Sequence, residues 1–137
     1  MNYRRKKQTH RNGAAAVEFA LTLPVLLFVL FATYELGRAN MMMNTCEAAA
    51  YEGARVAMVP GATAAEAVDA ANSILATAGI RNATIVVTPN DLSEESDNIS
   101  VEISFGFQDN MAAGGVVMPD SATISRNCIL AREGFGN

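Results

Sequence analysis

Hydrophobic and polar positions change their rhythm four times along this chain, and each rhythm predicts a different element. From Phe19 to Tyr34 the run FALTLPVLLFVLFATY carries no charge, and back to Ala14 the 21 residues are interrupted only by Glu18. At ~1.5 Å per residue such a helix is roughly 30 Å long, the thickness of a bilayer hydrocarbon core. Beyond Arg38 nothing breaks the helix before Pro60-Gly61. Over that stretch Asn40, Asn44, Glu47, Tyr51 and Arg55 recur at helical spacing, with Met42, Cys46, Ala49, Gly53 and Val56 on the other side. One continuous helix is therefore expected from Ala14 to Val59, its first half apolar all round and its second half amphipathic.

After the Pro60-Gly61 turn, Thr63 followed by Glu66 forms a capping box that opens a second helix. Its apolar positions Val68, Ala71, Ile74, Leu75 and Ala78 share a face, and Gly79 closes it. Thr84 to Thr88 is β-branched throughout and is followed by the turn Pro89-Asn90, which predicts a strand. Ile99, Val101, Ile103, Phe105 and Phe107 alternate with Ser100, Glu102, Ser104, Gly106 and Gln108, a strand with one buried face. A Gly/Met-rich loop, Asn110 to Pro119, leads to a last extended segment, Ala122 to Leu130, in which Ile124 and Cys128 have the same parity. The fold class is α+β: a long N-terminal helix and a second short helix packed on a small antiparallel sheet of about three strands, a pilin-like outline. The expected divisions are residues 1–13, a basic leader; 14–38, the membrane-spanning helix; 39–59, its continuation; and 60–137, a small α+β domain.

Charge fixes the expected direction of the span. The formal net charge is −4, yet Arg4, Arg5, Lys6, Lys7 and Arg11 precede residue 14 without an acidic residue among them. From Ala14 onward 5 basic residues face 14 acidic ones. A basic cluster directly before an apolar segment is retained on the cytoplasmic side, so the expected topology is N-terminus in and C-terminus out, in the inner membrane. Nucleic-acid binding by the same cluster lacks the interleaved aromatics it would need. A cleaved secretory signal has a similar outline, but the one small-x-small site near the outer end, Gly37-Arg38-Ala39, is crowded by Glu35 and by Arg38 itself.

Within the span, Glu18 is the informative residue. A carboxylate at the centre of a membrane helix costs roughly 2.5 to 3.5 kcal/mol, so something compensates it. Two compensations are open: a position close enough to the cytoplasmic headgroups, or a partner cation from a neighbouring helix or a new amino terminus. Pro24 removes one backbone hydrogen bond, which is expected to kink the helix.

Arg11-Asn12-Gly13-Ala14-Ala15-Ala16-Val17-Glu18-Phe19 resembles the type IV prepilin cleavage region in its Flp/Tad variant. The continuation LTLPVLLFVLFATYELGR, with Pro24 and the exit Glu35-Leu36-Gly37-Arg38, is similar to the TadE-like family, as is Ala49-Ala50-Tyr51-Glu52-Gly53-Ala54-Arg55. The resemblance implies cleavage between Gly13 and Ala14 by a membrane-embedded aspartyl prepilin peptidase, and docking of subunits through Glu18 and Phe19. It further implies partnership with other pilins and with Tad assembly-platform proteins, in pilus assembly and adhesion. Phe19 stands where the major Flp pilins usually carry Tyr, and the chain is much longer than those pilins, which points to a minor pilin or pseudopilin. The alternative is a permanently anchored single-pass accessory protein with an extracytoplasmic binding domain; a secreted module would be the third class.

Remaining candidates for chemistry are few. Cys46 and Cys128 both lie beyond the span, on the side where the topology places an oxidising compartment, and either pair in a disulfide or stand as two buried thiols. The acidic tract Asp91, Glu94, Glu95 and Asp97 fits no EF-hand spacing and is read as a solvated loop rather than a calcium site. Met41-Met42-Met43 points around the helix and is read as packing filler rather than a soft-metal site. The only histidine, His10, lies in the leader, so no Ser-His or Cys-His pair is expected in the outer domain; neither an enzyme, a cofactor nor a metal is expected.

Overall fold

A computed structural model of the chain describes residues 11–92, 98–111, 118–119 and 121–131. The basic residues Arg4 to Lys7, His10 and the acidic residues Glu94, Glu95 and Asp97 lie outside the described residues. The elements in order are α1 (Arg11–Ala57), α2 (Ala64–Thr77), β1 (Thr84–Thr88), β2 (Asn98–Gly106), a 3-10 turn (Gln108–Asn110) and β3 (Thr123–Ala131). The chain forms two compact units, residues 1–34 and 35–137.

In the first unit the apolar side chains of α1 are largely exposed among the described residues; Phe19 is 64% and Leu21 71% exposed. Its hydroxyl groups are satisfied within the helix: Thr22 donates to the Glu18 carbonyl at 3.0 Å and Thr33 to the Val29 carbonyl at 2.8 Å. That pattern suits a solvent that offers no hydrogen bonds. Pro24 lies inside α1, and the helix continues through it.

The second unit is built around residues 35–57 of α1. Ala39, Met42, Cys46, Ala49, Ala50, Gly53, Ala54 and Ala57 form its buried face, while Asn40, Asn44, Glu47, Tyr51 and Arg55 are exposed, as the periodicity predicts. Small residues on that face permit close approach from two directions at once. A Cβ added at Gly53 would stand 3.1 Å from the Ala67 carbonyl oxygen of α2, 3.3 Å from Ala71 Cβ and 3.4 Å from Val101 Cγ1 of β2. Gly53 is therefore the point where helix, helix and sheet meet.

The termini of α2 follow from its sequence. Thr63 Oγ1 accepts from the Glu66 amide at 3.3 Å while the Thr63 amide donates to Glu66 Oε2 at 2.8 Å, a complete capping box. At the other end the Ile80 and Gly79 amides donate to the Leu75 and Ala76 carbonyls, each at 3.0 Å, with Gly79 at φ +68°. This is a Schellman motif, and its usual apolar pair is Leu75 with Ile80, both buried.

The sheet is antiparallel in the order β1-β2-β3, with Val87 opposite Val101 and Cys128 on its other side. On β2 the residues Ile99, Val101, Ile103 and Phe105 are buried, and Ile124 of β3 joins them. The alternation predicts Phe107 on the same strand, but the strand ends at Gly106. Phe107 is buried as the residue that leads into the 3-10 turn, where Asn110 takes over the hydrogen bonding.

Asn110 is a buried polar residue with its amide fully employed. Its Oδ1 accepts from the Arg81 amide at 2.6 Å, and its Nδ2 donates to the Arg81 carbonyl at 3.1 Å and the Gly106 carbonyl at 3.0 Å. It ties the α2–β1 connection to the end of β2 where no strand does so. Asn110→Ala leaves the Arg81 amide without that acceptor and is expected to cost about 2–3 kcal/mol, lowering the melting temperature by roughly 10 °C. Gly53→Val overpacks the three-way contact and is expected to cost about 1–3 kcal/mol. Thermal unfolding of the full chain in detergent, followed by circular dichroism, checks both.

Candidate functional site

Two regions carry side chains that the packing alone does not explain: the start of the apolar helix and its exit. At the start, Gly13, Ala14, Glu18 and Phe19 all lie on α1 and are all exposed. A Cβ at Gly13 would meet nothing within 4 Å, as is true also of Gly37, so no intramolecular contact requires a glycine there. Glycine costs an exposed helix interior about 1 kcal/mol relative to Ala, so its presence is better explained by something outside the chain. Glu18 and Phe19 are adjacent, and no described cation forms an ion pair with Glu18; the one described ion pair joins Arg55 to Glu52 at 2.6 Å. The bond between Gly13 and Ala14 lies inside α1, which begins at Arg11 rather than at Ala14.

At the exit, Glu35 is 2% exposed, a carboxylate buried among Ala39, Met42 and the loop before β3. Its Oε1 accepts from the Met118 amide at 2.9 Å. One turn later, Arg38 Nη2 donates to the Ala78 carbonyl at 3.4 Å, a cation placed at the C-terminus of α2 where the helix dipole favours it. The Glu-Leu-Gly-Arg exit thus grips two different segments of the second unit, one with each charge. Sequence reasoning treated Glu35 only as part of a motif. The signal that marks its burial is phase: Glu35, Ala39, Met42 and Cys46 fall at successive steps of four, three and four on the buried stripe.

The cysteines are brought to one interface. Cys46 is fully buried and donates through Sγ to the Ile103 carbonyl at 3.7 Å, while Cys128 is half-buried on β3 and both thiols are free. Burial holds both thiols above their ordinary pKa; the Arg126 guanidinium opposes this at Cys46, and the Glu47 carboxylate adds to it at Cys128. The Met triplet fans around the helix as expected, Met42 fully buried, Met43 half-buried and Met41 exposed. Among the described residues no group of three or more His, Cys, Asp or Glu side chains could hold a metal ion. An open groove of about 540 Å³ between α2 and β1 is lined by Val68, Ile85, Val86 and, as its one acid, Asp69.

Residues 13–55 match the family model of TadE-like proteins. The matched segment takes in the Gly13-to-Phe19 stretch, the Glu35-to-Arg38 exit, Cys46 and the Ala49-to-Arg55 run. No curated protein and no solved structure matches the chain. The helix that carries the match is long and apolar enough to cross a membrane, and none of its most apolar stretch is buried.

The exit clamp yields a local prediction. Glu35→Ala removes the acceptor of the Met118 amide and is expected to cost about 1.5 kcal/mol, so that this amide exchanges roughly tenfold faster. Glu35→Gln keeps an acceptor oxygen and should exchange nearly as slowly as the parent. Hydrogen exchange read by mass spectrometry on the peptide containing Met118 checks the pair.

Proposed function

We propose that the chain is a minor pilin or pseudopilin of a Flp/Tad-type pilus, cut after Gly13 and taken into, or priming, the filament through its N-terminal helix. The observation that carries this reading is the coincidence of three features on one segment. The TadE-like match covers residues 13–55, the helix within it exposes a continuous apolar surface, and that surface is interrupted by the carboxylate of Glu18.

The chemistry follows from the solvent. Apolar side chains exposed on every side are stable in hydrocarbon, and the leader's basic residues hold the N-terminus in the cytoplasm, with residues 35–137 outside the inner membrane. A membrane-embedded aspartyl peptidase needs an extended backbone at the bond it cuts. Gly13, as a weak helix former, lets the first turn of α1 unwind cheaply to supply one. Cutting there creates an α-ammonium on Ala14, roughly one helical turn from Glu18. In low dielectric the two charges attract strongly when helices from neighbouring subunits align them, so assembly neutralises both. Phe19 beside Glu18 supplies apolar contact at the same level, and the partners are other pilins and the assembly-platform proteins. The TadE-like match supports a structural role in assembly and adhesion.

One observation favours a second reading. The Gly13–Ala14 bond lies within a helix that begins at Arg11, so a peptidase would have to unwind that turn to cut it, whereas a permanently anchored accessory protein would keep it intact. The two readings differ in the N-terminus of the mature chain. Mass spectrometry of the protein from its native membranes is expected to find Ala14 first, and an intact Met1 would establish the anchor instead. Gly13→Phe should block processing. Glu18→Ala should leave processing intact and reduce piliation by at least about tenfold, the scale of one lost buried charge interaction; normal piliation would remove the docking role.

A further inference from the structure

We propose that Cys46 and Cys128 are joined by a disulfide in the mature protein, stapling the last strand of the sheet to the central helix of the outer unit. This rests on the reading that residues 35–137 lie on the oxidising side of the membrane.

The geometry begins at Ile103. Cys46 Sγ reaches its carbonyl from the buried face of α1. In the sheet register Ile103 pairs with Arg126, and Val101 pairs with Cys128. Cys128 therefore stands one inward position along β3, about 7 Å, from the level at which Cys46 touches the sheet, on a strand about 5 Å from β2, so closing the bond requires β3 to shift toward that turn of α1. Ile124, Arg126, Cys128 and Leu130 are buried or half-buried while Thr123, Ser125, Asn127 and Ile129 between them are exposed, so Cys128 shares the face that α1 covers. The neighbours repeat the placement from each side. Arg126, two residues from Cys128, acts on the Cys46 thiol, and Glu47, next to Cys46, acts on the Cys128 thiol.

Closure converts two thiols into one disulfide with loss of two protons and two electrons, and the oxidant is another disulfide, carried by a protein or a small molecule. Cys128, the more accessible of the pair, loses its proton to water and attacks one sulfur of that oxidant, releasing the first thiolate. Cys46, deprotonated in turn, attacks the Cys128 sulfur of the mixed disulfide and displaces the second. The ring so closed contains α2, β1 and β2. Among the described residues β3 is an edge strand hydrogen-bonded to β2, and the staple gives it a further attachment, restricting the unfolded chain.

The test uses the full-length protein from native membranes, quenched in acid, unfolded, alkylated, then reduced and alkylated with a heavier reagent. The expected result is the heavy label on both cysteines, a cross-linked peptide joining them, and a melting temperature in detergent that falls by about 10 °C on reduction. Light label on both overturns the proposal. Reduced chain treated in detergent with oxidised glutathione at mildly alkaline pH locates the failure. Closure there, with a reduced native protein, means that the compartment reading fails and carries the proposal with it. A folded reduced chain that does not close refutes the geometry itself. Cys128→Ser should melt at the temperature of the reduced parent, and a thermal shift on reduction that persists in this variant would show that another bond, or none, is responsible.

Discussion

The second unit, residues 35–137, is organised by the close approach at Gly53, where α1 meets both α2 and β2. With a Cβ position 3.1 Å from the Ala67 carbonyl oxygen and 3.4 Å from Val101, no larger residue fits without displacing either the helix or the sheet. Around it Ala49, Ala50, Ala54 and Ala57 from α1 and Ala67 and Ala71 from α2 are all fully buried. Small side chains bury little area each, so such a core gains its stability from closeness, through many dispersion contacts, rather than from bulk. The larger residues, Phe105, Phe107, Ile99 and Ile103, come from the sheet and fill what the alanines leave.

The same helix carries two different surfaces. Up to Tyr34 it presents apolar side chains on every side; from Glu35 onward it has one small-residue face in the core and one polar face in water. The change occurs at the Glu-Leu-Gly-Arg exit, where the two charges are used within the outer unit rather than left to solvent. Glu35 holds the amide of Met118 and Arg38 holds the carbonyl of Ala78, the residue that caps α2. A TadE-like match that ends at Arg55 thus contains both the apolar segment and the helical half that organises the outer unit. Residues after 55, outside the match, supply the second helix and the sheet that enclose it.

Glu18 and Gly13 stand apart from this packing. Neither is needed by the fold: Gly13 faces open space and Glu18 is exposed on a helix that offers it no cation among the described residues. Residues that cost a structure and are not repaid within it are the natural places to look for an external partner, and here both fall on one turn-and-a-half of helix.

The sequence by itself determined the elements, because each is set by local periodicity and by end chemistry. The capping box at Thr63 and Glu66, the Schellman end at Gly79, the β-branched run of β1 and the strict alternation of β2 act within a few residues of where they are read. The apolar segment and its lone carboxylate were equally legible, since the capacity of a helix to cross a membrane rests on length and composition alone. Tertiary structure alone decided which residues pay for long-range contacts. Glu35 looks from the sequence like a charge at the edge of a membrane helix, and it is buried because a loop more than 80 residues later brings an amide to it. Asn110 reads as a loop residue, and it becomes the joint between two segments because the chain leaves β2 after Gly106 and passes through Phe107 into a 3-10 turn. The position of Cys128 opposite Val101 was likewise fixed by register, a property of paired strands that no single strand contains.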